Sequence, residues 1–143
     1  MKIAVFTFGR FNPPTTGHAM LIQKLEKTAL KVGGIPFLFA SPSHDAKKNP
    51  LTYTTKLRVL GKMSKKSTVV NRADIRTPFD ALSYLDSLEF DHVYMIVGSD
   101  RVREFKRNAS KYIGTLYKNI KNFDVVSAGQ RDPDAVGVSG MSA

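Results

Sequence analysis

The sequence contains no cysteine and no long apolar run. The absence of cysteine excludes a disulfide framework, a thiolate metal site and a cysteine nucleophile. The longest apolar runs, at residues 35–40 and 93–97, are far too short to span a bilayer. Residues 1–8 lead directly into a turn rich in glycine and proline, without the cleavage site of a signal peptide. These absences predict a cytoplasmic protein with no membrane segment.

Acidic residues are scarce beside basic ones. Twelve Asp and Glu stand against 22 Lys and Arg, which gives a net charge of +10. This surplus predicts an anionic partner, and nucleic acid, a nucleotide and a membrane surface are all compatible with it. The chain has 143 residues and no internal repeat, so we expect a single domain, residues 1–143, with its own core.

Short apolar, β-rich runs alternate with segments of helical periodicity. This alternation predicts an α/β fold, a Rossmann-like, doubly wound parallel sheet of about five strands with helices on both faces. The predicted strands are 3–8, 35–40, 67–70, 93–97 and 123–127. The first predicted helix begins near Gly17 and His18 and is ended by Gly33 and Gly34. The others are 54–63 with Thr54 as a candidate N-cap, one that starts at Thr77 and Pro78, 99–107, and 111–120.

Right-handed crossovers place the carboxyl ends of all parallel strands at one edge of the sheet. Ligands of such sheets bind at that edge, where the strand order switches. The segments that follow the strands are therefore the candidate sites, at residues 9–18, 41–49, 98–100 and 129–143.

The first of these segments carries the strongest signal. Its sequence, Gly-Arg-Phe-Asn-Pro-Pro-Thr-Thr-Gly-His, joins a buried strand to the start of a helix. Gly9 and Gly17 allow a ligand to approach the backbone closely. The amino end of the helix offers unpaired N–H groups and a positive dipole to a phosphate. His18 and the hydroxyl of Thr15 can donate hydrogen bonds to phosphate oxygens.

This segment resembles a motif of the T/H-x-G-H nucleotidyltransferase superfamily, where it joins the first strand to the first helix. The Gly-Arg-Phe opening is most similar to the nicotinamide and nicotinate mononucleotide adenylyltransferases. Phosphopantetheine adenylyltransferase and the glycerol-phosphate and choline-phosphate cytidylyltransferases are relatives. The matching positions are Gly9, Phe11, Pro13, Thr15, Gly17 and His18.

Later segments are similar to further motifs of that superfamily. Residues 41–52 resemble the second, phosphate-contacting loop, and residues 56–63 resemble the helix after it. Residues 95–100 resemble the strand that ends in Gly-x-Asp at the nucleotide site. Residues 138–143 resemble the beginning of the C-terminal motif, which continues in the family through a hydroxyl and a basic residue. This departure predicts that the sequence is part of a longer protein.

The resemblance implies transfer of a nucleotidyl group from a nucleoside triphosphate to a phosphate-bearing acceptor such as nicotinamide mononucleotide. The most similar branch implies that this group is adenylyl. Pyrophosphate is released, and Mg²⁺ is bound mainly through the triphosphate, with no metal site in the protein. The implied catalytic residues are His18, Thr15 and Lys48. The implied substrate-binding residues are Gly9, Arg10, Phe11, Gly17, Lys47, Gly98, Asp100, Arg101, Ser139 and Ser142.

Other interpretations stay open at this point. Within the superfamily, a cytidylyltransferase or a phosphopantetheine adenylyltransferase fits the same motifs. A module that binds nucleotide or nucleic acid without catalysis fits the charge of +10, although no RNP-like motif interleaves aromatic and basic residues. A homo-oligomer is compatible with the sequence. Tyr53 and Tyr84 are interpreted as packing residues, and His92 receives no role.

Overall fold

The computed structural model describes residues 2–9, 11, 16–42, 52–98 and 101–129. Within these ranges, five strands alternate with helices along the chain. The elements are β1 (Ile3–Gly9), α1 (Thr16–Val32), β2 (Ile35–Ala40), α2 (Tyr53–Met63), β3 (Thr68–Val69), α3 (Pro78–Ser87), β4 (His92–Val97), α4 (Val102–Ser110) and β5 (Asn122–Ser127).

The strands form one parallel sheet in the order β3-β2-β1-β4-β5. The chain builds outward from β1 to β2 and β3, and then returns to place β4 on the other side of β1. The predicted Rossmann-like α/β class is thereby confirmed. This order puts the switch point of the sheet between β1 and β4.

Helices cover the sheet on both faces, because the central strands are apolar on both sides. One core cluster contains Val5, Leu38 and Ile96 together with residues of α1 and α2. The other contains Phe6, Met95 and residues of α3 and α4. Burial on two faces explains why the β1 sequence is a continuous apolar run instead of an alternating one.

Turn and cap residues fix where the helices begin. Thr77 is the N-cap of α3, and Pro78 lies in the first turn. The Oγ1 of Thr77 accepts a hydrogen bond from Asp80 N at 3.1 Å. The prediction of Thr54 as the N-cap of α2 is wrong. Thr52 has the extended backbone that a cap requires, and its Oγ1 accepts from Thr55 N at 3.3 Å.

The predicted helix over 111–120 is also wrong. After α4, the chain folds into tight turns in which Gly114 has a φ of +83°, a left-handed conformation that interrupts a helix. Asp86 of α3 fixes the end of these turns, because its Oδ1 accepts from the backbone N of Asn119 at 2.8 Å and of Ile120 at 3.0 Å. Tyr117 is buried between the turns and α3.

No helix in the described ranges combines the length and the apolar character that crossing a membrane requires.

Candidate functional site

β1 and β4 separate at their carboxyl ends. Their pairing ends at Phe6 and Met95, whereas β1 stays paired with β2 as far as Gly9, and β4 with β5 as far as Val97. Where the ladder stops, the buried Thr7 Oγ1 donates a hydrogen bond to the carbonyl of Ile96 at 2.9 Å. A gap therefore opens at the switch point, and a side chain satisfies the carbonyl that the gap exposes.

A cavity of about 380 Å³ lies at this gap, on the face of the sheet that α3 and α4 cover. Its walls come from the carboxyl ends of β1 and β4, the amino end of α3 and one side of α4. The lining residues are Thr7, Phe8, Ser41, Arg76, Thr77, Pro78, Phe79, Met95, Ile96, Val97, Gly98, Arg101, Glu104, Phe105 and Asn108.

Two arginines, Arg76 and Arg101, line the cavity. Arg101 precedes α4, and its guanidinium lies over the ring of Phe105 at 5.0 Å from the ring centroid. Arg76 precedes α3, and its backbone N donates to Asp80 Oδ2 at 3.0 Å. Because the amino end of α3 also faces this cavity, its lining suits an anionic group.

His18 approaches the same edge of the sheet from the opposite face. It lies in the first turn of α1 and is only 2% exposed. Its ring packs edge-on against Phe11, with 4.8 Å between the ring centroids. Phe11 is fully buried and has a φ of +49°, a conformation that a bulky residue adopts only when its surroundings hold it there. Phe11 therefore restricts the orientation of the imidazole.

Lys56 is a buried basic residue that contacts the cavity-lining Ser41, and the sequence analysis gave it no role. It is fully buried, and its Nζ donates to the carbonyl of Ser41 at 2.9 Å, while Ser41 N donates to the carbonyl of Gly9 at 2.8 Å. Lysine is almost never buried without partners, so this contact is specific. Helical spacing gave a usable signal, because Lys56 lies four residues before the buried Leu60.

Arg76 was missed as well. The predicted sites did not include the segment that follows β3, although the same edge rule places that segment beside the others. Tyr53 holds that segment: its hydroxyl donates to the carbonyl of Val70 at 3.2 Å and accepts from Arg72 N at 2.9 Å. Burial raises the pKa of Tyr53, which keeps the phenol protonated and able to donate. This is the packing role expected for Tyr53.

Comparison with known proteins agrees with this architecture. A family model described as cytidylyltransferase-like matches residues 6–139, nearly the whole chain. The chain belongs to the cytidylyltransferase-like family. The resemblance to the T/H-x-G-H nucleotidyltransferases is thereby confirmed. No curated protein matches this family member in sequence.

The fold of this cytidylyltransferase-like protein is similar to that of nicotinic acid mononucleotide adenylyltransferase from Plasmodium falciparum. The structure of that enzyme with NaAD has a TM-score of 0.55 and 14% identity, over 89% of this chain and 75% of the other. The structure with APC has the same TM-score and identity, over 99% of this chain and 80% of the other. At this identity, the likeness shows the fold.

The residues predicted for the nucleotidyltransferase site fall into three groups. Gly98 and Arg101 line the cavity. Gly9, Phe11, Gly17 and His18 lie at the end of β1 and the start of α1, across the gap. The remaining predictions lie outside the described residues, and they are Arg10, Thr15, Lys47, Lys48, Asp100, Ser139 and Ser142.

Proposed function

We propose that this protein transfers an adenylyl group from ATP to a phosphate-bearing acceptor such as nicotinamide or nicotinate mononucleotide, and releases pyrophosphate. The observation that carries this proposal is the gap between β1 and β4, with a buried, oriented His18 on one side and a cavity holding two arginines on the other. Membership of the cytidylyltransferase-like family supports nucleotidyl transfer.

The chemistry needs positioning and charge stabilisation more than it needs a base. An oxygen of the acceptor phosphate forms a bond to the α-phosphorus, in line with the bridging oxygen whose bond breaks. That bridging oxygen leaves as part of pyrophosphate. The acceptor phosphate is already ionised at neutral pH, so no proton has to be removed from it. This explains a site built from an imidazole, guanidinium groups and helix amino ends.

We assign the triphosphate to the side of α1. His18 donates a hydrogen bond to the α-phosphate, where charge develops in the transition state, and the wall formed by Phe11 prevents its ring from turning away. Thr15, Lys47 and Lys48 are proposed to contact phosphate oxygens, and Gly17 allows the close approach. Gly9 and Arg10 contribute backbone contacts between the substrates, and Ser139 and Ser142 are proposed triphosphate contacts.

We assign the second substrate group to the cavity. The guanidiniums of Arg76 and Arg101 pair there with a phosphate or carboxylate. Gly98 borders the nucleoside, because it directly follows β4 at the gap and has no side chain to obstruct the ligand.

Mg²⁺ fits this donor set as an ion carried by the substrate. Among the described residues that line the cavity, Glu104 is the single carboxylate, beside two arginines. The described part of the chain contains no group of three His, Asp or Glu residues that could hold a metal ion. Such a site suits an ion bound through phosphates and water. When bound, the ion neutralises part of the triphosphate charge, and we propose that Asp100 contacts its water ligands or the ribose.

The proposal is tested by a pyrophosphate-release panel. ATP and CTP are each combined with nicotinamide mononucleotide, nicotinate mononucleotide, phosphopantetheine and glycerol 3-phosphate. We expect release with ATP and one of the two mononucleotides. Release with CTP and glycerol 3-phosphate would assign the protein to the cytidylyl branch, and release with phosphopantetheine to that adenylyl branch. Silence in every combination would favour a binding module.

His18→Ala tests the assignment of the imidazole. Removal of one group that stabilises transition-state charge costs about 10²–10³ in turnover, and we expect a loss of this size with the fold intact. His92→Asn is the matched control, since His92 pairs with Asp124 at 2.8 Å at the amino end of β4, away from the gap. Equal turnover of the two folded variants would contradict the assignment.

A further inference from the structure

Basic side chains cover the solvent side of α4 and of the turns after it. Residues 101–121 contain seven basic residues and one acidic residue, so this segment carries six of the ten net positive charges. We call the exposed part of it the α4 surface, which consists of Arg103, Lys106, Arg107, Lys111, Tyr112, Leu116, Lys118 and Lys121.

The stability of α4 does not explain this arrangement. Arg103, Arg107 and Lys111 follow one another at four-residue spacing, and like charges at that spacing destabilise a helix. At the amino end, Arg103 opposes the helix dipole and Arg101 provides no side-chain cap, whereas Glu104 in the first turn and Arg107 in the last turn favour the dipole. Among the described residues, no residue of the α4 surface takes part in an ion pair.

On the face of the sheet that α3 and α4 cover, the positive charge is concentrated at α4. The neighbouring helix α3 packs on the same face of the sheet, and its ten residues include Asp80 and Asp86 but no lysine or arginine. An evenly distributed surface charge would place basic residues on both helices. The charge of the α4 surface is therefore suited to an anionic partner at that position.

An exposed aromatic ring lies at the end of the basic row. Tyr112 is 42% exposed and directly follows Lys111. Its ring is held edge-on by Phe79 and Tyr117, at centroid distances of 6.4 and 6.3 Å. The backbone is fixed too, because Tyr112 N donates to the carbonyl of Ala109 at 3.0 Å and Tyr117 N donates to that of Tyr112 at 3.0 Å. An oriented ring beside cations is how proteins stack an unpaired base.

The apolar side of α4 is already used. Phe105 and Ala109 are buried against the sheet, so the helix has no apolar face to insert into a bilayer. A lipid surface is therefore a poorer match than a flexible chain of phosphates.

We propose that the α4 surface binds single-stranded nucleic acid, with phosphates along Arg103, Arg107 and Lys111 and a base on Tyr112. This function is separate from nucleotidyl transfer, because none of these residues lines the cavity.

The experiment measures fluorescence anisotropy of a labelled thymidine 20-mer with the intact protein from 50 to 200 mM salt. R103Q/R107Q/K111Q is compared with K62Q/K65Q/K66Q, which makes the same change in net charge at exposed lysines around the end of α2. We expect the first variant to bind roughly tenfold more weakly and to lower the salt slope by about 2, since each lost contact to a single strand removes about 0.7. The second variant should bind like the original protein.

Tyr112 provides an independent test of stacking. Tyr112→Leu should weaken binding roughly fivefold or more, whereas Tyr112→Phe should not. The proposal is overturned by absent binding, by equal losses in both charge variants, or by tighter binding of a duplex of the same length. Equal binding of polyglutamate or of vesicles with anionic lipids would also overturn it. Pyrophosphate release by each variant is measured in parallel and should be unchanged. The proposals of nucleic-acid binding and of nucleotidyl transfer can therefore fail independently.

Discussion

At the scale of single residues, the gap between β1 and β4 depends on one hydroxyl. Thr7 is 1% exposed, and its Oγ1 satisfies the carbonyl of Ile96 where strand pairing has ended. This contact lets the sheet open at its switch point without leaving a buried carbonyl unpaired.

Replacement of Thr7 by valine tests this role. Thr7→Val keeps the shape but leaves the Ile96 carbonyl unsatisfied, so we expect it to lower the free energy of unfolding by about 1–3 kcal/mol. Thr7→Ser keeps the hydroxyl and should cost less. The two variants are compared by urea denaturation, and a valine variant as stable as the serine variant would contradict the role.

Residue identity alone gave an uneven view of the site. The motif from Gly9 to His18 was visible because glycine, proline and histidine have distinct local chemistry. Lys56 and Arg76 were not recognised as site residues, because their importance comes from burial and from neighbours distant in sequence.

At the scale of elements, the turn between α1 and β2 requires a glycine. A Cβ on Gly34 would lie 2.9 Å from Cγ2 of Ile3 and 3.2 Å from its carbonyl oxygen. The end of α1 is thereby packed directly against the start of β1, which sets the position of that helix on the sheet.

Two glycine-to-alanine variants distinguish the steric requirement at Gly34 from the general effect of replacing a glycine by alanine. Gly34→Ala forces β1 to shift, and we expect a loss of about 1–3 kcal/mol in unfolding free energy. Gly61→Ala lies within α2 with nothing within 4 Å of the new methyl group, so it should gain about 0.5–1 kcal/mol. Thermal or urea unfolding measures both, and a neutral Gly34 variant would refute the close approach.

Tyr117 joins the turns after α4 to the first turn of α3. Its hydroxyl donates to the carbonyl of Phe79 at 3.1 Å, and burial raises its pKa above the ordinary value of 10.0. A group with a raised pKa in the folded state contributes stability that is complete below its unfolded pKa. That contribution is lost as the pH rises through the folded value.

Tyr117→Phe should therefore lower the free energy of unfolding by about 1 kcal/mol at neutral pH. Above about pH 10, the free energy of unfolding of this variant should decline less than that of the original protein. Urea denaturation from pH 7 to 11 measures this. Tyr112→Phe is the control. Tyr112 is exposed, so removal of its hydroxyl should change the free energy of unfolding little. Identical alkaline profiles for the Tyr117 variant and the original protein would contradict the prediction.

At the scale of the whole molecule, the charge of +10 opposes compaction. The described residues contain one ion pair, between Arg72 and Asp74, and a hydrogen bond between His92 and Asp124. Repulsion among the surplus positive charges is therefore reduced mainly by solvent, by salt or by an anionic ligand.

Salt should consequently stabilise the protein. Between 10 and 150 mM the Debye length falls from about 30 to 8 Å, which screens repulsion between distant basic residues. We expect the melting temperature to rise by roughly 2–4 °C, equivalent to about 1 kcal/mol. In R103Q/R107Q/K111Q the rise should be smaller, because three of the repelling charges are gone. A melting temperature that falls with salt would contradict this.

The sequence by itself determined the α/β class, nearly every strand, and the family motif that follows β1. These follow from apolar periodicity and turn chemistry, which act between residues close in the chain. The tertiary structure alone decided that β1 and β4 part at Thr7, that Arg76 and Arg101 line one cavity, and that residues 111–120 form turns. Each depends on contacts between segments far apart in sequence, and such contacts leave no periodic trace in the segments themselves.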